Sequence, residues 1–231
     1  MNSTTEAVKQ VVLTVDNVSK TFDEALVLDK ISLTLKRGSV SVLVGTNGSG
    51  KTTLLKSIAG VISPDSGTIE ILGATAGSRQ ARAVTSVTFD DPALYPDLTV
   101  FEHLAFAARL GGLVDFQDRA TELLKELGIS ELQDRIPKGF SRGQRQKAAL
   151  ALGLVRPFRL LILDEPYVGL DTFGKNALAS FLIQARDAGA CVLVATHSPE
   201  LLKIADNMLV LSYGKLTYKG KPDAKKLEVE L

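Results

Sequence analysis

The sequence predicts an α/β fold, in which a parallel sheet follows a small antiparallel β unit and is interrupted by an inserted α-helical subdomain. Three observations support this prediction. The apolar runs at residues 160–163 and 191–195 are typical of parallel strands that are covered on both faces. A glycine-rich loop at residues 45–52 links an apolar run to a helical stretch. From residue 99 onward, apolar positions recur at helical spacing.

Bulk composition limits the class of protein. The chain has 231 residues, of which 45% are hydrophobic, and this is enough for one or two globular units with a full core. Its 27 basic and 26 acidic residues give a net charge of +1, so we expect no nucleic-acid partner. Residues 1–10 are too polar for a secretory signal, and no run approaches the ~20 apolar residues of a membrane-spanning helix. We therefore expect a cytoplasmic protein.

The first part of the chain is predicted to form a small sheet. Its apolar or alternating runs are separated by turn signals such as Lys36-Arg37-Gly38 and the Pro-Asp-Ser-Gly run at residues 64–67. A helix-like stretch at residues 52–59 separates the third strand from the fourth. The predicted strands in this part are residues 11–15, 31–35, 40–44, 68–72 and 83–89.

A helical segment is predicted to interrupt the sheet before the apolar strands return at residues 160–163. Its predicted helices are residues 99–110, 117–127 and 142–155. We therefore predict a single domain over residues 1–231, which consists of a core at residues 1–90 and 158–220 and a helical subdomain at residues 91–157.

The loop at residues 45–52 reads Gly-Thr-Asn-Gly-Ser-Gly-Lys-Thr, which matches the pattern G-x-x-x-x-G-K-[ST]. The order of strand, glycine loop and helix is what a phosphate-binding cradle requires. Glycines let backbone N–H groups point at an anion, and the helix N-terminus adds the positive end of its dipole. We expect Lys51 to reach the outer phosphates and the Thr52 hydroxyl to ligate Mg²⁺. The alternative is a glycine turn before an ordinary helix.

The whole loop and the start of its helix are therefore candidates for nucleotide binding. These residues are Gly45, Thr46, Asn47, Gly48, Ser49, Gly50, Lys51, Thr52 and Thr53.

A second group of candidate residues follows the apolar run at 160–163. Asp164 and Glu165 stand at the end of this predicted strand. A carboxylate at the carboxyl edge of a strand can hold Mg²⁺ beside a phosphate loop, which is the role expected of Asp164. Glu165 can then activate the attacking water as a general base. A buried strand that meets a surface turn is the alternative, but the phosphate loop favours one phosphoryl-transfer site.

Together with three further motifs, these residues resemble the nucleotide-binding subunit of ATP-binding-cassette (ABC) ATPases over about residues 11–220. The run Phe-Ser-Arg-Gly-Gln at residues 140–144 is similar to the family signature L-S-G-G-Q. The strand ending in Asp164 and Glu165 is similar to the Walker B motif, residues 168–171 to the D-loop, and His197 to the switch histidine. The resemblance implies a phosphate-loop NTPase core that binds ATP and Mg²⁺.

The resemblance also implies roles for the signature and the switch histidine. Ser141, Gly143 and Gln144 would contact the ATP that is held by the partner subunit's Lys51. Two ATP molecules would then lie between two subunits arranged head to tail. His197 would hydrogen-bond the γ-phosphate and position the attacking water. If the resemblance is not used, Ser141 is expected to be a helix N-cap and His197 a structural histidine.

Two more positions are assigned to the nucleotide by the resemblance alone. Phe22 stands where the family places an aromatic side chain that stacks on adenine, and stacking requires only a π face. Its alternative is a core phenylalanine. Asp171, the last residue of the D-loop, is counted with the nucleotide-contacting residues. His103 matches no motif and is predicted to be a solvated helix residue.

The sequence departs from the family pattern at two positions. Asp90 occupies the place of the Q-loop glutamine, and Asp91 is the alternative if the alignment shifts by one residue. A carboxylate there can still bind Mg²⁺, but it lacks the amide donor, and we expect Asp90 to be a metal ligand. Arg142 stands where the signature usually has glycine, which favours export over import and could add a cationic contact to the partner's ATP.

These motifs predict an ATP-hydrolysing subunit that drives a separate polytopic membrane subunit, with export favoured. It would dimerise head to tail with a second ABC ATPase subunit around two Mg-ATP, at the cytoplasmic face of a membrane. Two other functions remain open. One is a soluble ABC ATPase of an assembly or repair complex, and the other is a weakly hydrolysing regulatory half of a heterodimer.

Overall fold

The structure is a computed structural model that describes residues 11–91 and 93–225. The expectation that residues 1–10 are not a secretory signal concerns a segment outside these ranges. Within the part of the chain that the structure describes, no helix has the length and apolar character needed to cross a bilayer.

Ten strands and six α-helices follow one another along the described chain. The strands are β1 (Val11–Phe22), β2 (Ala25–Lys36), β3 (Ser39–Val44), β4 (Ser66–Ile71), β5 (Ala74–Thr75), β6 (Thr85–Thr88), β7 (Leu160–Asp164), β8 (Cys191–Ala195), β9 (Asn207–Ser212) and β10 (Lys215–Gly220). The helices are α1 (Lys51–Ile58), α2 (Arg79–Val84), α3 (Val100–Leu110), α4 (Gln117–Glu126), α5 (Arg142–Val155) and α6 (Thr172–Asp187). Two short 3₁₀ helices cover Ser130–Leu132 and Pro199–Lys203.

The strands form two sheets. The first is antiparallel, with the order β2-β1-β4-β5, and the second has the order β10-β9-β3-β8-β7-β6. In the second sheet every pairing is parallel except that of β9 with β10. The predicted fold class, a parallel sheet with an antiparallel β unit, is therefore confirmed.

Strands β3, β7 and β8 are buried along their whole length because both of their faces are covered. Side chains of a strand alternate between the two faces. On one face, Leu161 of β7 shares a core with Leu182 of α6. On the other face, Leu160 shares a second core with Leu54 of α1 and Leu33 of β2. Helix α1 therefore lies between the two sheets, and its first residue is held close to the carboxyl ends of the parallel strands.

Helices α3, α4 and α5 come between β6 and β7, where the sequence predicts the helical subdomain. Helix α3 begins with a capping box, in which the Thr99 hydroxyl accepts a hydrogen bond from Glu102 N and the Glu102 carboxylate accepts one from Thr99 N. Helices α3 and α4 both pack against α5. The division of the chain at residues 90 and 158 stays a prediction.

Several local predictions are corrected by the structure. The strand expected at residues 83–89 is wrong at its start, because Arg79–Val84 is the helix α2, whose N-cap Ser78 accepts a hydrogen bond from Ala81 N at 3.2 Å. Strands β1 and β2 extend beyond the predicted limits because they continue to a hairpin at Asp23 and Glu24, both of which have positive φ. The segment from residue 172 to residue 187, left without an assignment by the sequence, is helix α6.

The prediction that His103 is solvated is also wrong. The side chain is buried, with 1% of its surface exposed. Its Nε2 atom accepts a hydrogen bond from Tyr95 N at 2.8 Å, so Nδ1 carries the proton and donates to Thr99 O at 2.7 Å. His103 therefore fixes the loop before α3 to the helix as a neutral imidazole.

Candidate active site

The carboxyl ends of β3 and β7 open into one cavity of about 340 Å³. Strand β8 separates the two strands in the sheet, so both end at the same edge, where parallel α/β sheets bind ligands. Residues predicted from three separate stretches of sequence line the cavity. They are Asn47, Gly48, Gly50, Lys51, Thr52, Thr53, Asp90, Asp164 and Glu165, and Val27 of β2 joins them.

The loop between β3 and α1 needs glycine for two different reasons. At Gly45, a Cβ atom would lie 2.1 Å from the carbonyl oxygen of Leu211 in β9, so no larger residue fits. At Gly48, φ is +81° and a Cβ would meet nothing within 4 Å. The requirement at Gly48 is therefore conformational, and this side of the loop is open to a ligand. The first N–H groups of α1 lack intrahelical partners and face the same edge.

Lys51 is the cation of this loop. Its side chain is buried, and Nζ donates hydrogen bonds to the carbonyl oxygens of Gly45 at 2.6 Å and Thr46 at 3.1 Å. These acceptors are neutral, so phosphate oxygens, which form stronger charge-assisted hydrogen bonds, can replace them.

Thr52 and Asp164 supply adjacent oxygen donors. The Thr52 hydroxyl donates to Asp164 Oδ2 at 2.7 Å. Burial raises the pKa of Asp164, and the nearby charges of Glu165 and Asp90 raise it further, whereas the hydrogen bond from Thr52 opposes the shift. Neutral and anionic oxygen donors of this kind suit Mg²⁺. Within residues 11–91 and 93–225 there is no cluster of three or more His, Cys, Asp or Glu side chains that could hold a metal.

Glu165 is held in an unusual conformation beside the cavity. Its φ is +46°, in the left-handed region that side chains other than glycine rarely adopt, and its N–H donates to Ala195 O at 2.8 Å. The Glu165 Oε2 atom lies 3.0 Å from His197 Nδ1. His197 follows β8 and is more than half exposed, with 58% of its side-chain surface accessible. The pair places a carboxylate and an imidazole together at the mouth of the phosphate site.

Comparison with known proteins identifies this arrangement. The sequence profile of the family described as "ABC transporter" matches residues 28–168. The chain belongs to the ABC transporter family. It is 37% identical to the SkfA peptide export ATP-binding protein SkfE of Bacillus subtilis (strain 168) over 205 residues, 87% of this chain and 86% of the relative.

An importer component is also similar to this ABC chain. The chain is 36% identical to the sulfate/thiosulfate import ATP-binding protein CysA of Mesostigma viride over 214 residues, which cover 90% of this chain and 61% of the relative. A solved structure of an ATP-binding subunit of an ABC transporter superposes with a TM-score of 0.88 at 30% identity, over 95% of this chain and 94% of that one. The chain is therefore an ABC ATPase, and its relatives include components of both export and import systems.

The ABC signature lies outside the nucleotide cavity of its own chain. Ser141 and Gln144 form a capping box at the start of α5: Gln144 N donates to Ser141 Oγ at 3.2 Å, and Ser141 N donates to Gln144 Oε1 at 2.9 Å. A Cβ at Gly143 would lie 2.4 Å from the Gly169 carbonyl oxygen, so the signature and the D-loop are in direct backbone contact. Neither Ser141, Gly143 nor Gln144 lines the cavity.

Asp171 of the D-loop has a structural partner that the sequence did not suggest. Its Oδ1 atom accepts from Gly174 N at 2.8 Å and so caps α6, and its Oδ2 atom accepts from Lys147 Nζ at 3.1 Å. The pKa of Asp171 is lowered, first by the hydrogen bond from Gly174 and then by Lys147. Lys147 is buried in α5. Asp171 thus ties the D-loop to the signature helix, and it does not line the cavity.

Phe22 lies at the hairpin end of β1. Its side chain is 41% exposed, so the alternative of a core phenylalanine is wrong. The ammonium group of Lys20 stands 5.3 Å from the centre of its ring, which keeps one π face close to a cation. Phe22 does not line the phosphate cavity, and its stacking on adenine stays a prediction.

Two features of the site were not predicted. Val27 lines the cavity because the β1–β2 hairpin packs over the phosphate loop, where a Cβ at Gly50 would meet the Val27 carbonyl oxygen at 2.8 Å. No local signal marks such a contact. The second feature is an ion pair between Arg142 and Asp90, although both residues were noted as departures from the family pattern.

Proposed function

We propose that this ABC ATPase binds Mg-ATP in the cavity at the end of β3 and β7, dimerises head to tail around two such nucleotides, and drives a separate membrane subunit. The observation that carries the proposal is the convergence on one cavity of the phosphate loop, the Thr52–Asp164 pair and Glu165. These are the parts that phosphoryl transfer to water needs: an anion cradle, hard oxygen donors and a base.

The phosphate loop supplies binding and charge neutralisation. Backbone N–H groups around Gly48 and the N-terminus of α1 hold the phosphates of ATP. Lys51 leaves the carbonyl oxygens of its loop and pairs with the outer phosphates. Because the ammonium is buried, its attraction to the phosphate charge is stronger than it would be in water.

The donor set beside the loop fits Mg²⁺. Thr52, Asp164 and Asp90 are the residues that would hold it together with the phosphates, and the metal would supply charge neutralisation at the phosphate oxygens. Asp164 must be ionised for this role, and the Thr52 hydroxyl favours its ionised form by donating to it at 2.7 Å.

Glu165 is the proposed general base. Its carboxylate accepts a proton from the attacking water, while His197 orients the carboxylate through the 3.0 Å contact and reaches toward the γ-phosphate. The strained backbone at Glu165 fixes the direction of this side chain at the end of β7.

The signature face is proposed to complete the site of a second subunit. The N-terminus of α5 is exposed and carries a hydroxyl, an amide and free N–H groups, which are suited to a phosphate. Because these residues do not reach the cavity of their own chain, the ATP that they contact would be held by another subunit. Nucleotide would then join the two subunits, and hydrolysis would release them.

A groove beside the Asp90 loop is the proposed contact with the membrane subunit. It has a volume of about 460 Å³ and lies between β6 and the helices α3 and α5. Phe106 and Leu110 line it and are exposed. An amphipathic segment that packs apolar side chains against them would cover this surface.

The relatives that are named as transporter components support this partner. They include an export and an import protein, so the direction of transport depends on the membrane subunit, and the preference for export stays a prediction. The protein would then lie peripherally at a membrane surface.

The decisive experiment is purification of Glu165→Gln from native membranes with Mg-ATP, followed by mass spectrometry. A stoichiometric polytopic membrane protein supports the transporter function. Soluble partners alone would favour an assembly or repair complex. Leu110→Glu should release the membrane protein, and Val114→Glu is the matched control, because Val114 is 77% exposed and lies outside the groove.

A further inference from the structure

The two residues at which this chain departs from the family pattern lie in contact with each other. Arg142 Nη2 is 3.5 Å from Asp90 Oδ1. Asp90 stands two residues after β6, and Arg142 is the first residue of α5. The ion pair therefore joins the phosphate site of the chain to its own signature helix.

Asp90 faces the other carboxylates of the nucleotide cavity. It lines the cavity together with Asp164 and Glu165. Burial is the main cause of the raised pKa of Asp164, and the charge of Asp90 contributes to it. Asp90 is therefore close to the carboxylate that is proposed to hold Mg²⁺. Lys51 is engaged by the carbonyl oxygens of its own loop, and Arg142 is the cation paired with Asp90.

Arg142 is guided to Asp90 by the D-loop. A Cβ at Gly169 would lie 3.4 Å from Arg142 Cγ, so the aliphatic part of the arginine crosses this glycine at van der Waals distance. Gly169 has a φ of +77°, and Gly143 also lies against it, since a Cβ at Gly143 would be 2.4 Å from the Gly169 carbonyl oxygen. The side chain of Arg142 thus starts in the signature, lies against the D-loop and pairs with Asp90 of the phosphate cavity.

The exposure of the pair makes it exchangeable. The side chains of Arg142 and Asp90 are 71% and 45% exposed, and ion pairs at such positions contribute little to stability. A divalent cation carries twice the charge of a guanidinium and prefers carboxylate oxygen. It can therefore compete with Arg142 for Asp90.

Resting on the proposed ATP-binding function, we propose that Arg142 is a positioning residue for the ATP site of its own subunit. Its ion pair with Asp90 withholds this carboxylate from Mg²⁺ and ties the signature helix to the phosphate site. When Asp90 binds the metal instead, the ion pair breaks and the N-terminus of α5 is free to face a second subunit. Linkage requires the converse: removing Arg142 must strengthen the contribution of Mg²⁺ to nucleotide binding.

The test is a double-mutant cycle read by nucleotide affinity. Calorimetry is carried out on the full chain at a concentration at which it is monomeric. It gives the dissociation constant of a non-hydrolysable ATP analogue, once with saturating Mg²⁺ and once in EDTA. The ratio of the EDTA value to the Mg²⁺ value measures the contribution of the metal. In Arg142→Gln, the negative charge of Asp90 has lost its cationic partner, so Asp90 repels the metal-free analogue and is available to Mg²⁺. We expect the ratio to rise about two- to five-fold.

The same substitution in an Asp90→Asn background should leave the ratio unchanged, and Arg142→Lys should keep the wild-type ratio. Arg145→Gln is the charge-matched control, because it removes an exposed arginine of α5 that forms no ion pair with Asp90. An unchanged ratio in Arg142→Gln, or an equal rise in the Asp90→Asn background, overturns the inference. A wild-type chain that binds no analogue contradicts the proposed function itself, whereas normal binding with an unchanged ratio contradicts this inference alone.

Discussion

The nucleotide cavity and the signature face belong to the same chain, but they are built differently. In and beside the cavity, groups from separate elements converge: the Thr52 hydroxyl lies 2.7 Å from Asp164, and Glu165 lies 3.0 Å from His197. On the signature face, the side chains of Ser141 and Gln144 form a capping box with each other's backbone N–H groups at the start of α5. In the proposed function, the cavity supplies the groups that bind and attack a phosphate, whereas the signature face would bind only a phosphate that a second subunit holds.

This difference separates two kinds of substitution. Changes in the cavity should alter nucleotide binding or chemistry in the isolated chain. Changes on the signature face should leave binding by the isolated chain intact and affect only what requires a second subunit.

The largest effect is expected for Glu165→Gln. Because the amide cannot take a proton from water, ATP turnover should fall about 10²- to 10⁴-fold, while ATP binding persists. Phosphate release measures the turnover. Glu200→Gln is the control, since Glu200 is a carboxylate that pairs with Lys175 away from the cavity. Normal hydrolysis by Glu165→Gln would exclude Glu165 as the base.

Gly143→Ala should have the next largest effect. The new Cβ would lie 2.4 Å from the Gly169 carbonyl oxygen, so the signature and the D-loop must move apart. Misplacing one half of a composite site should reduce turnover about 10²-fold. Gly112→Ala is the control for backbone strain away from the signature, because Gly112 has a φ of +79° and its Cβ would meet no atom within 4 Å. Equal turnover in the wild type and Gly143→Ala would show that the signature face takes no part in catalysis.

The single cysteine lies at the start of β8 and reports on the opening of the core. Cys191 is buried, and burial raises the pKa of its thiol to about 12, so a thiol reagent reacts only after the core opens. An ATP analogue at about ten times its dissociation constant should slow this reaction about tenfold. Mass spectrometry of the labelled chain gives the rate. A labelling rate that the nucleotide does not change, in both the wild type and Gly143→Ala, would contradict binding in the cavity. Rapid labelling without nucleotide would contradict the burial of the thiol.

The smallest effect concerns the cap of α5. Ser141→Ala removes the acceptor of Gln144 N and should lower the free energy of unfolding by about 1 kcal/mol. Ser141→Asn preserves a cap acceptor, so it should restore stability. If Ser141 also contacts a partner's nucleotide, neither variant recovers full turnover. Recovery of both stability and turnover in Ser141→Asn would show that Ser141 acts only as a helix cap. Urea denaturation and the phosphate assay measure the two properties.

Sequence reasoning identified the parts of the site that are encoded locally. The phosphate loop was predictable because a tight turn, an anion cradle and a helix start require glycines, Lys51 and Thr52 at fixed spacing. Asp164 was predictable because an apolar strand ends there. The same holds for β7 and β8 of the parallel sheet, which are almost entirely apolar because both of their faces are covered.

The remaining features depend on residues that are distant in sequence. Nothing near Val27 indicates that its hairpin covers the phosphate loop, and nothing near Lys147 identifies Asp171 as its partner. Asp90 and Arg142 were each noted as unusual, but their pairing across 52 positions required the fold. His103 was misjudged because its two partners are backbone atoms, which leave no trace in the sequence. Helix α2 was missed although Ser78 offers a cap signal.

The most direct test of the central claim is calorimetric titration of the isolated, monomeric chain with a non-hydrolysable ATP analogue and Mg²⁺. We expect that the wild type binds, that Gly143→Ala binds with the same affinity, and that Lys51→Ala loses most of the binding because the buried cation is gone. Equal losses in Gly143→Ala and Lys51→Ala would contradict the claim that the cavity binds nucleotide without the signature face. Absence of binding by the wild type would contradict the site itself.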